Sequence, residues 1–393
     1  MEEVIGFEAL YDSMQKCKNG VMWKDSTAHF VLNGLEEVLK LEHELKAGTY
    51  KARPPVSFQV TSPKPRDIIS ITFRDRVYQR SLNDNAIYPC MVPQFIYDNG
   101  ACQTKRGTDF SRGRLRCFLQ KHFRRYGRSG YVLQCDIKGY YPNMRHDVAK
   151  RIFRKKLDDW TYHAVETVLT EQYAGEIGFN PGSQMIQIAG ISVLSDLDHM
   201  IKEQMRIKYY LRYMDDLVLI HPGEQYLEEC RDRIGRYLGG IGFSLHPKKT
   251  KIFPLTDGIL FLGFHWSLTE TGKVMMKLDP QNVRRERRKL KRLVHKCERG
   301  ELPKAKVYEC YAGWRQHASK GNNWKLVRRM DLYLKMLWNA KEANNGTGEE
   351  TQGEHCGSTR EGEPEGEGRE TGSTAGVRGD HDGCRHRRGG RRR

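Results

Sequence analysis

Two adjacent carboxylates, Asp215 and Asp216, stand between the apolar runs 209–214 and 217–220. The β-branched and aromatic residues on either side predict two short strands with the acid pair at the turn between them. Carboxylates crowded there lose solvent and repel each other, a costly arrangement unless a cation or a basic partner neutralises them. The bland alternative is an ordinary solvated turn. A third carboxylate, Asp136, ends another apolar run, 130–137, bounded by glycine. If the strands are neighbours in one sheet, three carboxylates can hold two metal ions ~3.5–4 Å apart, the geometry that stabilises attacking and leaving oxygens in phosphoryl transfer. Magnesium is the natural candidate, because it takes hard oxygen ligands and completes its shell with substrate phosphates.

The elements that must position these acids are legible around them. Leu32, Leu35, Val38, Leu39 and Leu45 recur at near-helical spacing and stop at Ala47-Gly48-Thr49. Pro54-Pro55 and Pro63-Lys64-Pro65 then read as extended chain between short strands. About seventy residues of mostly helical pattern separate the two acid-bearing strand regions. Near the C-terminus, Val283, Leu290, Leu293, Val294 and Cys297 mark one face of a helix over residues 283–299 that carries nine Lys+Arg and two Glu. So basic a helix repels itself unless it faces phosphates, or else presents a solvated face.

Composition agrees with a polyanionic partner. The 393 residues hold 67 Lys+Arg against 49 Asp+Glu, a net charge of +18. Nucleic acid is the first candidate and an anionic membrane surface the second. The membrane reading weakens because mean hydropathy is −0.72 and no run approaches the ~20 apolar residues of a span. The N-terminus, Met1-Glu2-Glu3, lacks signal-peptide character, so a cytoplasmic protein is expected. The ten cysteines include no CxxC pair, which favours free thiols over zinc or disulfides. From Asn344 onward there are 13 Gly, 10 Asp+Glu and 9 Arg with Val377 the single large aliphatic residue, so this tail is expected to be disordered. It is either dispensable or a nucleic-acid tether. The tail is nearly balanced in charge, so the basic excess belongs to the body.

At this point the chain resembles the reverse transcriptases, over most of residues 30–340. Tyr213-Met214-Asp215-Asp216 resembles the family's YxDD box, and Asp136 in Cys135-Asp136-Ile137-Lys138-Gly139-Tyr140-Tyr141 its first metal-binding aspartate. Pro63-Lys64-Pro65-Arg66-Asp67-Ile68 and Phe73-Arg74-Asp75-Arg76-Val77-Tyr78-Gln79 are similar to the fingers motifs that grip an incoming triphosphate. The segment 242–250 resembles the palm stretch with a lysine near the leaving pyrophosphate, Phe261-Leu262-Gly263-Phe264 the primer-grip hairpin, and Tyr311-Ala312-Gly313-Trp314 with His317 the thumb signature of bacterial members. One departure stands out. The family shows Gln-Gly with a serine four residues beyond the glycine, whereas Gln187-Ile188-Ala189-Gly190-Ile191-Ser192 has Ile188 at the glycine position. Either Gly190 takes over, or the pocket is altered.

The resemblance implies roles. Asp136 and Asp215, with the backbone carbonyl of Ile137, would hold two magnesium ions, manganese being able to substitute, and Asp216 would be an auxiliary ligand. Lys64, Arg66 and Arg74 are candidates for neutralising triphosphate charge; each could instead be a surface cation or an ion-pair partner of Asp67 or Asp75. Lys249 is the candidate proton donor to pyrophosphate, with Lys248 and Lys251 competing. Tyr141 would stack under the sugar and exclude a 2′-hydroxyl, or be a core aromatic. Gln187 joins the nucleotide site. Arg284, Arg288, Arg292 and Trp314 are expected on the nucleic acid.

The expected fold is therefore α/β (α+β), a right-hand polymerase. Its parts are an N-terminal helical segment (1–50), fingers (51–130), a palm of antiparallel sheet with packed helices (131–272, with inserted helices over about 148–205), a helical thumb (273–343) and the tail (344–393). The expected function is RNA-directed DNA synthesis with an RNA template, a DNA or RNA primer, deoxynucleoside triphosphates, an accessory protein allowed for and no membrane. Three biological settings compete. A diversity-generating retroelement is favoured by the YMDD form and a compact chain with no added enzymatic domain. A retron or antiphage-defence enzyme suits the Ile188 departure, and a non-catalytic, maturase-like RNA-binding factor is disfavoured by three intact carboxylates.

Overall fold

The computed structural model describes residues 1–60, 65–173, 175–179 and 182–345, with backbone alone at Arg66 and at residues 340–345. Lys64, and the tail expected to be disordered from residue 346 onward, lie outside the described residues. Met1–Asn339 form one compact unit.

The chain opens with α1 (Glu2–Ile5), α2 (Phe7–Cys17), α3 (Asp25–Leu32) and α4 (Gly34–Lys46). The helix expected from the leucine spacing is present and stops at Gly48, whose φ of 66° lies in the left-handed region. That spacing does not coincide with the buried face. Val38 and Leu41 are buried, while Leu32, Leu35 and Leu39 are 82%, 62% and 52% exposed. The reason is Gly34, which meets the Met14 side chain so closely that an added Cβ would lie 2.9 Å from its Cε, so the Gly34–Val38–Leu41 stripe faces α2.

A hairpin follows, β1 (Val56–Val60) paired antiparallel with β2 (Arg66–Ser70). Then come α5 (Phe73–Leu82), a π-helical turn over Asn83–Ile87, α6 (Tyr88–Met91) and α7 (Thr108–Tyr126). Thr72 caps α5 by accepting the Asp75 amide, and its hydroxyl donates to the Asp75 carboxylate.

The central sheet contains β3 (Tyr131–Asp136), β4 (Tyr209–Tyr213), β5 (Asp216–His221) and β6 (Lys251–Pro254), in the order β4-β5-β3-β6 with every pairing antiparallel. Between β3 and β4 lie α8 (His146–Arg154), α9 (Asp159–Gln172), α10 (Gln184–Val193) and α11 (Ser195–His199), and α12 (Glu224–Gly240) links β5 to β6. Leu133, Cys135, Tyr210, Leu217 and Leu219 enter one core with these helices. Val132, Leu211, Val218 and Ile220 enter a second core with α7 and the C-terminal elements. A strand buried on both faces reads as a continuous apolar run, which is why 217–220 shows no alternation.

The chain then forms a three-stranded antiparallel sheet, β7 (Ile259–Phe261), β8 (Phe264–Leu268) and β9 (Val274–Leu278), followed by α13 (Pro280–Glu298), α14 (Lys304–Ser319) and α15 (Trp324–Asn345). Asn322 and Asn323 fasten α15 to this sheet by accepting the amides of Met276 and Leu278 at 2.9 and 3.0 Å.

Candidate active site

The register of β3 and β5 makes Asp136 and Asp216 direct cross-strand partners, so their side chains leave the sheet on one face. Tyr213 pairs with Asp216 across β4 and β5, leaving Met214 and Asp215 as a two-residue hairpin turn. Three carboxylates thus meet at one sheet edge, as the sequence expects. Met214 has φ 56°. A side chain in the left-handed region costs about 1–2 kcal/mol, a form of backbone strain that concentrates at functional sites.

The segment after α12 runs back along Asp136. His246 donates its amide to the Asp136 carbonyl at 2.7 Å, Lys138 donates to Ser244 at 2.9 Å, and Ile137 bridges Leu245. This path delivers Lys249, whose Nζ lies 3.0 and 2.9 Å from the two carboxylate oxygens of Asp136. Of the three competing lysines, Lys249 is the one this path carries onto Asp136. Lys248 and Lys251 line the same cavity of about 600 Å³, together with Asp136 and Asp216.

Electrostatics mark the centre as short of positive charge. Burial, then the Asp215 and Asp136 carboxylates, push Asp216 from 3.8 up to about 7, with Lys249 pulling the other way. Burial also raises Asp215, again with a contribution from Asp136. Among the described residues no three His, Cys, Asp or Glu side chains form a ready-made metal cage. The donor set nevertheless fits a hard divalent ion: oxygen-only ligands whose mutual repulsion a cation would relieve, open on one side for phosphate and water. Asp136, Asp215, Asp216 and the Ile137 carbonyl would hold it.

A second cluster of the expected site residues is built on α10. The Tyr140 hydroxyl donates to the Gly190 carbonyl, and the Tyr141 ring lies so near Gly190 that an added Cβ would be 2.8 Å from its Oη. Gly190 thus makes room for the Tyr141 ring. Ile188 itself is buried in the core rather than crowding an approaching ligand. Tyr141 is half-buried, and its hydroxyl has no hydrogen-bond partner among the described residues. Gln187 accepts from Cys102 Sγ at 3.5 Å, and Cys102 Sγ is 3.6 Å from Met214 Sδ, which ties α10 to the acidic turn. Cys102 was not singled out from sequence; its φ of 52° leaves no trace in residue type.

Two expected contacts are corrected. Arg74 is buried against Glu44 and Asp75, with its guanidinium 4.8 Å from the Tyr50 ring, so the ion-pair alternative describes it rather than an open triphosphate ligand. Trp314 is buried, its Nε1 donating to Asn282 Oδ1 at 2.9 Å and its ring stacked on Tyr311. It is a core residue of the α13–α14 pair. The spacing Val307, Tyr311, Trp314, Ala318 is a helical core stripe and could have been read so. Arg66 is described by backbone only, on β2.

Arg284, Arg288 and Arg292 are exposed on α13, on the face opposite its buried stripe Glu286, Leu290 and Val294. Beside them lies a cavity of about 510 Å³ between α13 and the start of α15, lined by Arg284, Arg287, Lys325, Arg329 and Trp324. Trp324 is 68% exposed. None of these cations has a carboxylate within ion-pair distance among the described residues, though Lys325 lies 5.3 Å over the Trp324 ring and Arg287 5.3 Å over Tyr333; an exposed indole among cations can offer a stacking surface beside phosphate contacts. The hairpin β7–β8 turns at Leu262 and Gly263, both with positive φ. His317 stacks near Phe264 at 4.9 Å, joining this hairpin to α14.

Arg212 and Asp198 also went unmarked in the sequence. The signal was there: Arg212 is the one charge inside a strand otherwise apolar, and a buried charge needs a partner.

An antiparallel sheet backed by helices, with three aspartates at one edge, is the palm of a right-hand polymerase. The chain belongs to the reverse transcriptase (RNA-dependent DNA polymerase) family, which matches residues 60–266. Similar solved chains include telomerase from Candida albicans in complex with a fragment of telomeric RNA, at 10% identity and a TM-score of 0.45, covering 67% of this chain and 55% of that one. Apo telomerase from Candida tropicalis aligns at 12% identity and a TM-score of 0.42, covering 64% and 54%. Its C-terminally truncated form aligns at 13% and 0.41, covering 64% and 60%. This chain thus spans little more than half the length of those chains. No curated protein matches the sequence. The family match ends at Trp266, within β8, so α13–α15 lie beyond it.

Proposed function

We propose that the protein copies an RNA template into DNA by nucleotidyl transfer, extending a DNA or RNA primer with deoxynucleoside triphosphates. The observation that carries this reading is the cross-strand pairing of Asp136 with Asp216 beside the Asp215 turn. Asp136, Asp215 and the Ile137 carbonyl, with Asp216 auxiliary, would hold magnesium, which when bound would activate a primer 3′-hydroxyl and neutralise pyrophosphate charge. The chain's own residues do the rest. Asp136 and Asp215 would orient the reacting phosphate through the ions they hold; as the primer oxygen bonds to the α-phosphorus and the bond to pyrophosphate breaks, the hydroxyl proton passes to water, and Lys249 exchanges the Asp136 carboxylate for the departing pyrophosphate, to which it hands a proton. Tyr141, packed against Gly190, blocks a 2′-hydroxyl and selects deoxynucleotides. The α13 arginines, with Trp324, hold template and primer.

The YMDD form and the Tyr311-Ala312-Gly313-Trp314 signature support a cytoplasmic, prokaryotic retroelement enzyme of diversity-generating type; a retron or antiphage-defence enzyme is the second reading, favoured by Ile188. Primer extension on an RNA template with the four deoxynucleotides tests the activity: a magnesium-dependent product is expected, and its absence would overturn the reading. Sequencing the nucleic acid that copurifies separates the two settings. Adenine-mutated cDNA from a repeat supports the first, and a structured RNA joined to its own cDNA supports the second.

A further inference from the structure

We propose that Arg212 is a positioning residue that locks the acidic turn onto α10, so that the metal-binding carboxylates and the nucleotide site keep one fixed geometry. The polymerase reading supplies what these groups bind; the bracket itself rests on geometry. Arg212, Asp198 and Tyr210 are fully buried in the palm. The guanidinium meets Asp198 with two bonds, Nε to Oδ1 at 2.8 Å and Nη2 to Oδ2 at 2.6 Å, and the Tyr210 hydroxyl donates to the same carboxylate at 2.5 Å. Two of its three remaining donors go to carbonyls. Nη1 reaches Met214 O at 3.0 Å and Nη2 reaches Ile191 O at 2.9 Å.

Those carbonyls belong to the two halves of the site. Met214 is the left-handed residue of the turn and precedes Asp215; Ile191 follows Gly190, against which Tyr141 packs. One planar, five-donor group of fixed shape thus spans both. A buried ion pair is a weak way to gain stability, since an apolar pair of similar volume often serves as well. What an apolar pair cannot do is donate to Met214 and Ile191. Arg212 has no exposed surface with which to touch nucleic acid, so it acts through the turn.

The test is the double variant Arg212→Met with Asp198→Leu, which removes the pair without stranding a charge. Three readouts are taken on the full chain: manganese affinity by paramagnetic resonance, hydrogen exchange in peptides covering 209–220, and single-nucleotide incorporation. The proposal expects manganese affinity to fall about tenfold, exchange across the turn to accelerate, and incorporation to slow about 100-fold with little change in nucleotide KM. A folded double variant with wild-type metal affinity and exchange overturns it, whatever its activity. If the double variant does not fold, Arg212→Lys decides by the same readouts, because lysine keeps a cation on Asp198 but cannot reach both carbonyls; wild-type values there overturn the proposal too. A wild-type protein without incorporation would sink the polymerase reading, while metal affinity and exchange would still judge the bracket.

Discussion

Among the described residues two tight hairpins carry a non-glycine residue in the left-handed region, and they are supported differently. At the β4–β5 turn, Met214 stands alone with positive φ; at the β7–β8 turn, Leu262 is followed by Gly263, also positive. Each turn has an arginine donating to the carbonyl of its strained residue. Arg212 does so at 3.0 Å from full burial, held by the buried Asp198. Arg112 reaches Leu262 O at 3.5 Å, lies 4.9 Å over the Phe264 ring, and pairs with Asp109, which is largely exposed and shared with Lys320. The first turn carries carboxylates whose charges repel, so its geometry must resist them. The second carries none, and it touches α14 through His317. In the proposed function the first turn would hold a fixed centre and the second would follow the nucleic acid with the helices beyond it.

Perturbations should separate the two. On the nucleic-acid side, reversing Arg284, Arg288 and Arg292 to Glu together should weaken template–primer binding by at least about 100-fold at low salt and flatten the slope of log affinity against log salt by about three. Fluorescence anisotropy across a salt series checks this, and an unchanged slope would take α13 off the nucleic acid. Arg112→Ala should raise the KM for template–primer about tenfold and leave manganese affinity within about twofold; a matching loss of metal affinity would erase the distinction between the hairpins.

Acid–base behaviour should mark the fixed centre. Asp216 is raised to about 7 from 3.8, so the folded chain keeps a proton that the unfolded chain releases. Its contribution to stability is complete below pH ~4 and is lost as pH rises through about 7. Metal must displace that proton, so affinity should climb about tenfold per pH unit from 5 to 7 and level off above. Asp216→Asn should flatten this dependence in a manganese titration. The smallest effects are in the turns themselves. Gly263→Ala should cost about 1 kcal/mol, because alanine disfavours φ near 81°. Met214→Gly should stay within about 0.5 kcal/mol, since relief of strain offsets the extra freedom of the unfolded chain. Thermal unfolding distinguishes them.

Much of this was legible in the sequence for physical reasons. The acid pair, the strands around it and the basic helix are written in local pattern, and strand register did the rest by bringing Asp136 beside Asp216. The failures share a cause. Leu35 and Leu39 have the right spacing for a core, yet Gly34 sets which face of α4 meets α2. Arg74 and Trp314 have the right types for phosphate and base, yet Glu44 and Asn282, distant in sequence, claim them. Arg212 stood in plain view, but its partner Asp198 is fixed only once α11 packs under the sheet.

Single-turnover incorporation of one deoxynucleotide opposite an RNA template base, in wild type and Asp215→Asn, tests the central claim most directly. Loss of at least about a thousandfold in rate, with template affinity and thermal stability retained, is the predicted result. A wild-type rate in Asp215→Asn would contradict the assignment of this turn as the catalytic centre.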